Sequence, residues 1–196
     1  PKLTIAYTAG TSGKLAACGC PGDPYGGLAE RATLVSRLRA KEGPILLVDA
    51  GNMVSLFGDF QERAACVMRL MNLMSYDAAG VGRQEMFRNT REAITFAKAA
   101  KFPLLSATMT GKNDSRLLFE PYTIRTVGTL RVGIIAVCDS NAYIPDINRV
   151  FDYSILPLKQ ALDPIIAKMK GAVDFIVVLS QMDEKADARL LAEYPA

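Results

Sequence analysis

Ile45, Leu46, Leu47 and Val48 form an unbroken apolar run that leads straight into Asp49-Ala50-Gly51-Asn52. Such a run leaves neither face suited to water. It reads as a strand covered on both sides, the usual state of strands in sheets flanked by helices. The neighbouring segments fit that demand. Residues 3–8 are rich in strand formers and stop at Ala9-Gly10. Residues 27–41 carry Leu28, Ala32, Leu34, Val35 and Leu38 at helical spacing, with Arg31, Arg37, Arg39 and Lys41 on the other side, and close at Gly43-Pro44. Further helices are expected over 61–74, with Ala64, Val67, Met68 and Met71 as core face, over 90–100 with Thr90 as N-cap, and over 158–169 and 184–193. Further strands are expected over 77–81, 102–108, 122–127, 130–137 and 173–179, with Gly128-Thr129 turning one pair into a hairpin. Residues 139–153 read as a polar connection. Strands alternating with helices, with one hairpin, make a layered α/β domain.

At 196 residues the chain is long enough for one domain with a substantial core, and 50% hydrophobic against 22% charged residues excludes a disordered chain. The net charge of +3 comes from 23 basic and 20 acidic residues without runs of one sign, so no nucleic-acid partner is expected. No apolar run approaches the ~20 residues of a membrane span. The chain opens on Pro1 rather than Met, as after removal of a leader by processing or by the choice of expressed segment. It contains no His, the commonest neutral metal ligand and the commonest general base near pH 7.

The four cysteines are too few for a disulfide scaffold. Cys66 lies in a helical apolar pattern and Cys138 ends an apolar strand, so both read as core or near-core thiols. Cys18-Gly19-Cys20, in the glycine-rich loop after the first strand, is the most specific chemical feature. A disulfide between thiols two residues apart is strained and reducible, hence suited to exchange, and a nearby Lys14 would lower a thiol pKa. A static surface disulfide or a pair of buried thiols is the competing reading and stands level with it.

Several segments together resemble the N-terminal metallophosphatase domain of the 5'-nucleotidase family, within the calcineurin-like superfamily. They are residues 3–15, the stretch Gly-Gly-Leu-Ala-Glu-Arg-Ala-Thr-Leu at 26–34, and residues 47–52, 73–85, 102–107, 132–135 and 177–181, in the family's order along almost the whole chain. The resemblance implies a four-layer α-β-β-α sandwich of two mixed sheets flanked by helices, with metals held by loops at the strand ends. It also places the metal ligands, and there this sequence departs from the family. Gly10 and Ser12 stand where the first loop has Asp and His, and Asn52 stands where the bridging Asp should be, although Asp49 is kept. Arg83 and Gln84 replace the Asn ligand and catalytic His of a Gly-Asn-His-Glu loop of which Gly82 and Glu85 remain, and Gln181 replaces a further His. The last Gly-His-x-His motif would fall beyond Ala196, so a single domain over 1–196 either lacks it or is a fragment of something longer.

A two-metal site needs a bridging carboxylate and several imidazole or carboxylate ligands to offset the repulsion of two dications and to activate a water. Neutral Asn52 and Gln181 substitute poorly, and a cationic Arg83 repels a metal beside it. The expectation is therefore a catalytically degenerate, non-hydrolytic domain without metal or other cofactor. Its Cys18/Cys20 pair does thiol-disulfide chemistry with a redox partner protein, or else Asp49, Asn52, Arg83, Gln84, Glu85 and Gln181 gather into a pocket for phosphate, a nucleotide, another small anion or a protein partner. Pairing of Arg83 with Glu85 or Asp49, merely filling the vacated site, is the bland alternative to that pocket. Residual metal-dependent phosphoesterase activity is a third reading. The resemblance further implies an extracytoplasmic location, in a bacterial periplasm or as a membrane-anchored lipoprotein.

Overall fold

The run that begins at Ile45 becomes strand β2, Leu46–Asp49, all four residues of which are buried. It lies between β1, Ile5–Thr8, and β3, Ala78–Gly80, with β4, Leu104–Leu105, beyond β3, and every pairing in this sheet is parallel. These and the following elements belong to a computed structural model that describes residues 2–17, 19, 26–56, 60–87, 89–139 and 151–195. Successive side chains of a strand point to opposite faces, and β2 shows what each face meets. Leu47 joins one core with Val35 of α1 (Leu28–Glu42), Val67, Met68 and Met71 of α2 (Phe60–Leu73), and Ala93 and Phe96 of α4 (Thr90–Lys98). Leu46 and Val48 join another, with Val132, Ile134 and Ala136 of β7 (Leu130–Cys138) and Leu179 of β9 (Phe175–Gln181).

The second sheet repeats the logic. β7 pairs antiparallel with β6, Tyr122–Val127, and parallel with β9, in the order β6-β7-β9. Its Ile134 and Ala136 face the first sheet, while Ile135 and Val137 face Ala161, Leu162, Ile165 and Met169 of α5 (Leu158–Met169) and Leu190 of α6 (Glu184–Glu193). Helices, sheet, sheet and helices thus form four layers. The mixed pairing is confined to the β6-β7-β9 sheet.

Several local expectations change. Leu34 is 58% exposed, and the arginines opposite the apolar stripe of α1 do not all face solvent. Arg39 turns inward to donate to the carbonyls of Met74 (2.6 Å) and Ser75 (2.9 Å) just beyond α2, where a cation suits the helix C-terminus. The N-cap of α4 is Asn89, whose side chain accepts from the Glu92 amide, while Thr90 bonds Asp152. Residues 102–108 do not form one strand. After Leu105 the chain crosses to the second sheet, where the Ala107 amide donates to Ala136 O at 2.8 Å. It then forms β5, Met109–Gly111, an antiparallel partner of β8, Tyr153–Ile155. Residues 83–86, Arg83–Met86, close into the four-residue helix α3. Cys138 is fully buried as expected, whereas Cys66 is only half-buried; both are free thiols. Among the described residues no helix is long and apolar enough to cross a membrane.

Candidate functional site

Three parallel neighbours, β1, β2 and β3, end side by side, and β9 of the facing sheet ends opposite them. Loops at the carboxyl ends of parallel strands bound the crevice in open α/β sheets. Here the crevice is a cleft of about 350 Å³ lined by Ala9 and Gly10 after β1, Asn52 after β2, Arg83 after β3, and Ser180, Gln181, Met182 and Asp183 at the end of β9. The first two loops stay zipped beyond their strands, with Gly10 N donating to Gly51 O (2.9 Å), Ser12 N to Asn52 O (2.9 Å) and Gly13 N to Met53 O (2.8 Å). Gly51 makes this crossing possible. Its φ of 108° lies in the region that favours glycine, and a Cβ there would sit 2.9 Å from Gly80 O and Gly82 N. Asn52 follows at φ 57°, a conformation that asparagine tolerates better than most residues.

The side chains of Asn52 and Gln181 meet across the two sheets. Asn52 Nδ2 donates to Gln181 Oε1, and Gln181 Nε2 donates to Ala50 O at 2.6 Å. Asn52 Oδ1 accepts from Gln84 N at 3.1 Å. With its amide oriented so that the nitrogen faces acceptors, Gln84 has two N–H groups to share among Val54 O (2.7 Å), the Ser12 hydroxyl (3.1 Å) and Asn52 O (3.2 Å). Ser12, Gln84, Asn52 and Gln181, read in the sequence as replaced ligand positions, are therefore joined in one hydrogen-bonded set.

Glu85 and Asp49 belong elsewhere. Glu85 is buried at 2% exposure, and four backbone amides converge on its carboxylate: Asn52 (3.0 Å) and Gly82 (2.8 Å) on Oε2, Met53 (2.6 Å) and Val54 (3.2 Å) on Oε1. Burial pushes its pKa up and those four amides oppose the rise. Asp49 lies on the helix-facing side of β2, fully buried, accepting from the Thr8 hydroxyl and from Gly51 N at 2.7 Å. Behind Thr8 stand the Tyr76 hydroxyl (2.9 Å) and Arg31, which reaches Tyr76 at 3.4 Å and the Thr11 hydroxyl at 2.9 Å. Burial raises the Asp49 pKa to about 6 against the pull of Thr8 and Gly51. Of the six residues expected in one pocket, Asn52, Arg83 and Gln181 line it; Gln84 and Glu85 brace its floor and Asp49 anchors β1 to β2. Each carboxylate has its own hydroxyl or backbone donors.

Arg83 sits at the start of α3, and its charge reaches Cys138, whose thiol burial raises to about 11 while the guanidinium opposes that rise. Sequence reasoning missed Asp183, the N-cap of α6, although an Asp directly after a strand end and before a helical pattern was a legible signal. Cys18 and Cys20 lie outside the described residues. Gly19 between them is exposed at φ 70°, with no atom within 4 Å of where a Cβ would stand. The described ends of this loop are fixed by a bridge between Ala16 and Gly27 and by Leu28 N donating to Leu15 O at 3.0 Å.

No protein-family model matches the chain. It is 33% identical over 179 residues to a 5'-nucleotidase of Bos taurus, covering 86% of this chain and 30% of that protein. It is 38% identical over 141 residues to a snake venom 5'-nucleotidase of Crotalus adamanteus, covering 67% of this chain and 23% of the relative. A 5'-nucleotidase of Vibrio cholerae is 30% identical over 193 residues, 92% of this chain and 34% of that one. The chain thus spans about a quarter to a third of these relatives. Among solved structures, a 5'-nucleotidase precursor of Thermus thermophilus superposes with a TM-score of 0.78 at 27% identity, over 96% of this chain and 38% of its own. The Thermus thermophilus sulfate thiohydrolase SoxB shares the fold, with a TM-score of 0.81 at 16% identity over 100% of this chain and 47% of its own.

Proposed function

Because the chain belongs to the 5'-nucleotidase family, as a metallophosphatase domain of that family, we propose that it is a non-hydrolytic member whose cleft binds a small anion of the phosphate or nucleotide class. The observation that carries this reading is the set of groups lining the cleft. A guanidinium, two side-chain amides and backbone suit an anion, which Arg83 binds through charge-assisted and, for a phosphate, bidentate hydrogen bonds. The same set does not fit two divalent metals. The position of the bridging carboxylate holds the Asn52 amide, Arg83 adds a positive charge, and the carboxylate that lines the cleft, Asp183, spends one oxygen capping α6. Among the described residues no three His, Cys, Asp or Glu are grouped to hold a metal ion. Among the described residues, water activation between two ions has no ligand set to rest on.

Binding is tested by titrating the protein with inorganic phosphate and with AMP, by calorimetry and thermal shift. The expected result is saturable binding that Arg83→Ala weakens by about tenfold or more, since a charge-assisted hydrogen bond contributes ~1.5 to 3 kcal/mol. A protein indifferent to both, or an Arg83→Ala variant that binds as well, overturns the anion site. Hydrolysis is tested separately. After loading with manganese or zinc, p-nitrophenyl phosphate and AMP should not turn over, and turnover would restore the third reading, a working phosphoesterase.

A second reading rests on Cys18-Gly19-Cys20. In exchange, one thiolate attacks a disulfide of a partner, forming a mixed disulfide and releasing a partner thiolate. The second cysteine then displaces the other partner sulfur, leaving this chain oxidised and the partner fully reduced. The exposed Gly19 supports access by a protein partner. The reduction potential of the pair should lie above about −300 mV, the region of labile disulfides, with Cys18→Ser as the inert control. A lower potential, or thiols that never oxidise, removes this reading. An extracytoplasmic site of action, periplasmic or lipoprotein-anchored in a bacterium, is part of the proposal, supported by the venom origin in the name of one relative.

A further inference from the structure

We infer that the residues standing at the family's ligand positions form a metal-free clasp that holds the two sheets together at the mouth of the cleft. Two observations carry this. The first is connectivity: Ser12 follows β1, Asn52 follows β2, Gln84 follows β3 and Gln181 ends β9, so the clasp joins all three central loops of one sheet to the last strand of the other. The second is mutual engagement, which leaves the Asn52 and Gln181 amides one further N–H each for a ligand. Asn52 donates to Gln181 and accepts from Gln84, and Gln181 accepts from Asn52 and donates to Ala50, so each amide is engaged at both ends. Such a ring of neutral groups needs no counter-ion and is stable only while every member keeps its partner. The packing agrees, since Asn52 Oδ1 lies against Gly82 in space that a Cβ at that position would occupy. A divalent ion placed here would have to break these bonds and sit beside Arg83.

The clasp makes the fold independent of divalent metal and sets the width of the cleft, whatever the cleft binds. In the wild-type protein, millimolar EDTA, manganese or zinc should each move the melting temperature by less than about 1 °C, whereas a ligand that bound the folded state tightly would raise it by RT ln(1 + [L]/Kd). Asn52→Gly, which tolerates the positive φ, and Gln181→Met should each lower the melting temperature by about 3 to 8 °C, from one to two lost part-buried hydrogen bonds at ~2 to 4 °C per kcal/mol. The double variant should fall short of the summed loss by at least ~2 °C, because each substitution already breaks the shared bond. Losses that simply add, or a metal-induced rise above about 3 °C, overturn the clasp. The metal titration needs no variant, so the inference stays testable if a substitution prevents folding. Loss of phosphate binding with these results intact would overturn the anion site and leave the clasp standing.

Discussion

Glu85→Ala is expected to lower the stability of the folded state by about 3 to 5 kcal/mol, because several backbone amides lose their shared acceptor. The carboxylate is the common acceptor for the amides of Asn52, Met53, Val54 and Gly82, so its removal leaves four donors, three of them in buried bonds, without an acceptor, each buried one costing ~1 to 3 kcal/mol unless water enters. Three of those amides lie after β2 and one after β3, so Glu85 ties together the two loops that carry Asn52 and Arg83. Glu85→Gln should cost roughly half as much. Its oxygen still serves one pair of amides, but its NH2 points at the other pair. Urea unfolding of the three proteins measures both effects. An alanine variant within about 1 kcal/mol of wild type would mean that the loops close without this residue. A loss in the expected range would make the retained Glu of the Gly-x-x-Glu loop an anchor of both loops.

The large elements were legible because their signals are local. The pattern over 158–169 and 184–193 and the hairpin around Gly128-Thr129 fix their own geometry, and the observed elements match. The apolar run at 45–48 announced a doubly covered strand, and β2 faces a core on each side. What the sequence hid depends on partners distant along the chain. Met109–Gly111 and Tyr153–Ile155 pair 44 residues apart in strands of three residues, too short for a period to show. Residues 102–108 are apolar enough for one strand, yet Ala107 leaves for β7, a choice made by the second sheet. In the cleft, the resemblance brought together Asn52, Arg83 and Gln181, which line one cavity. It placed Asp49 and Glu85 with them because sequence proximity does not tell which face of a strand a side chain takes or that backbone amides will claim a carboxylate. Arg31 shows the same limit: its helical position reads as solvent-facing, but its guanidinium ends at Tyr76 and Thr11.

Asp49→Asn should remove a component of pH dependence on the order of 3 kcal/mol, from about 1.4 kcal/mol for each pK unit between 3.8 unfolded and about 6 folded. The sign follows from which state ionises first. As pH rises from 4 to 6 the unfolded chain releases the Asp49 proton while the folded protein retains it, so this group lowers stability progressively through that window and by a constant amount above it. Glu85, also raised, adds a like-signed dependence and, with Arg31 and Tyr76, supplies the charged and titratable groups felt by Asp49. The difference between wild type and Asp49→Asn isolates the Asp49 share. Asparagine keeps the acceptor for Gly51 N, and its NH2 is accommodated if the Thr8 hydroxyl turns to donate to Tyr76 instead of receiving from it. Measured by urea unfolding from pH 4 to 7, the stability of wild type relative to the variant should decline by about 2 to 3 kcal/mol. Parallel curves would mean that Asp49 is ionised in both states across this range, its burial offset by the hydroxyl, the amide and Arg31.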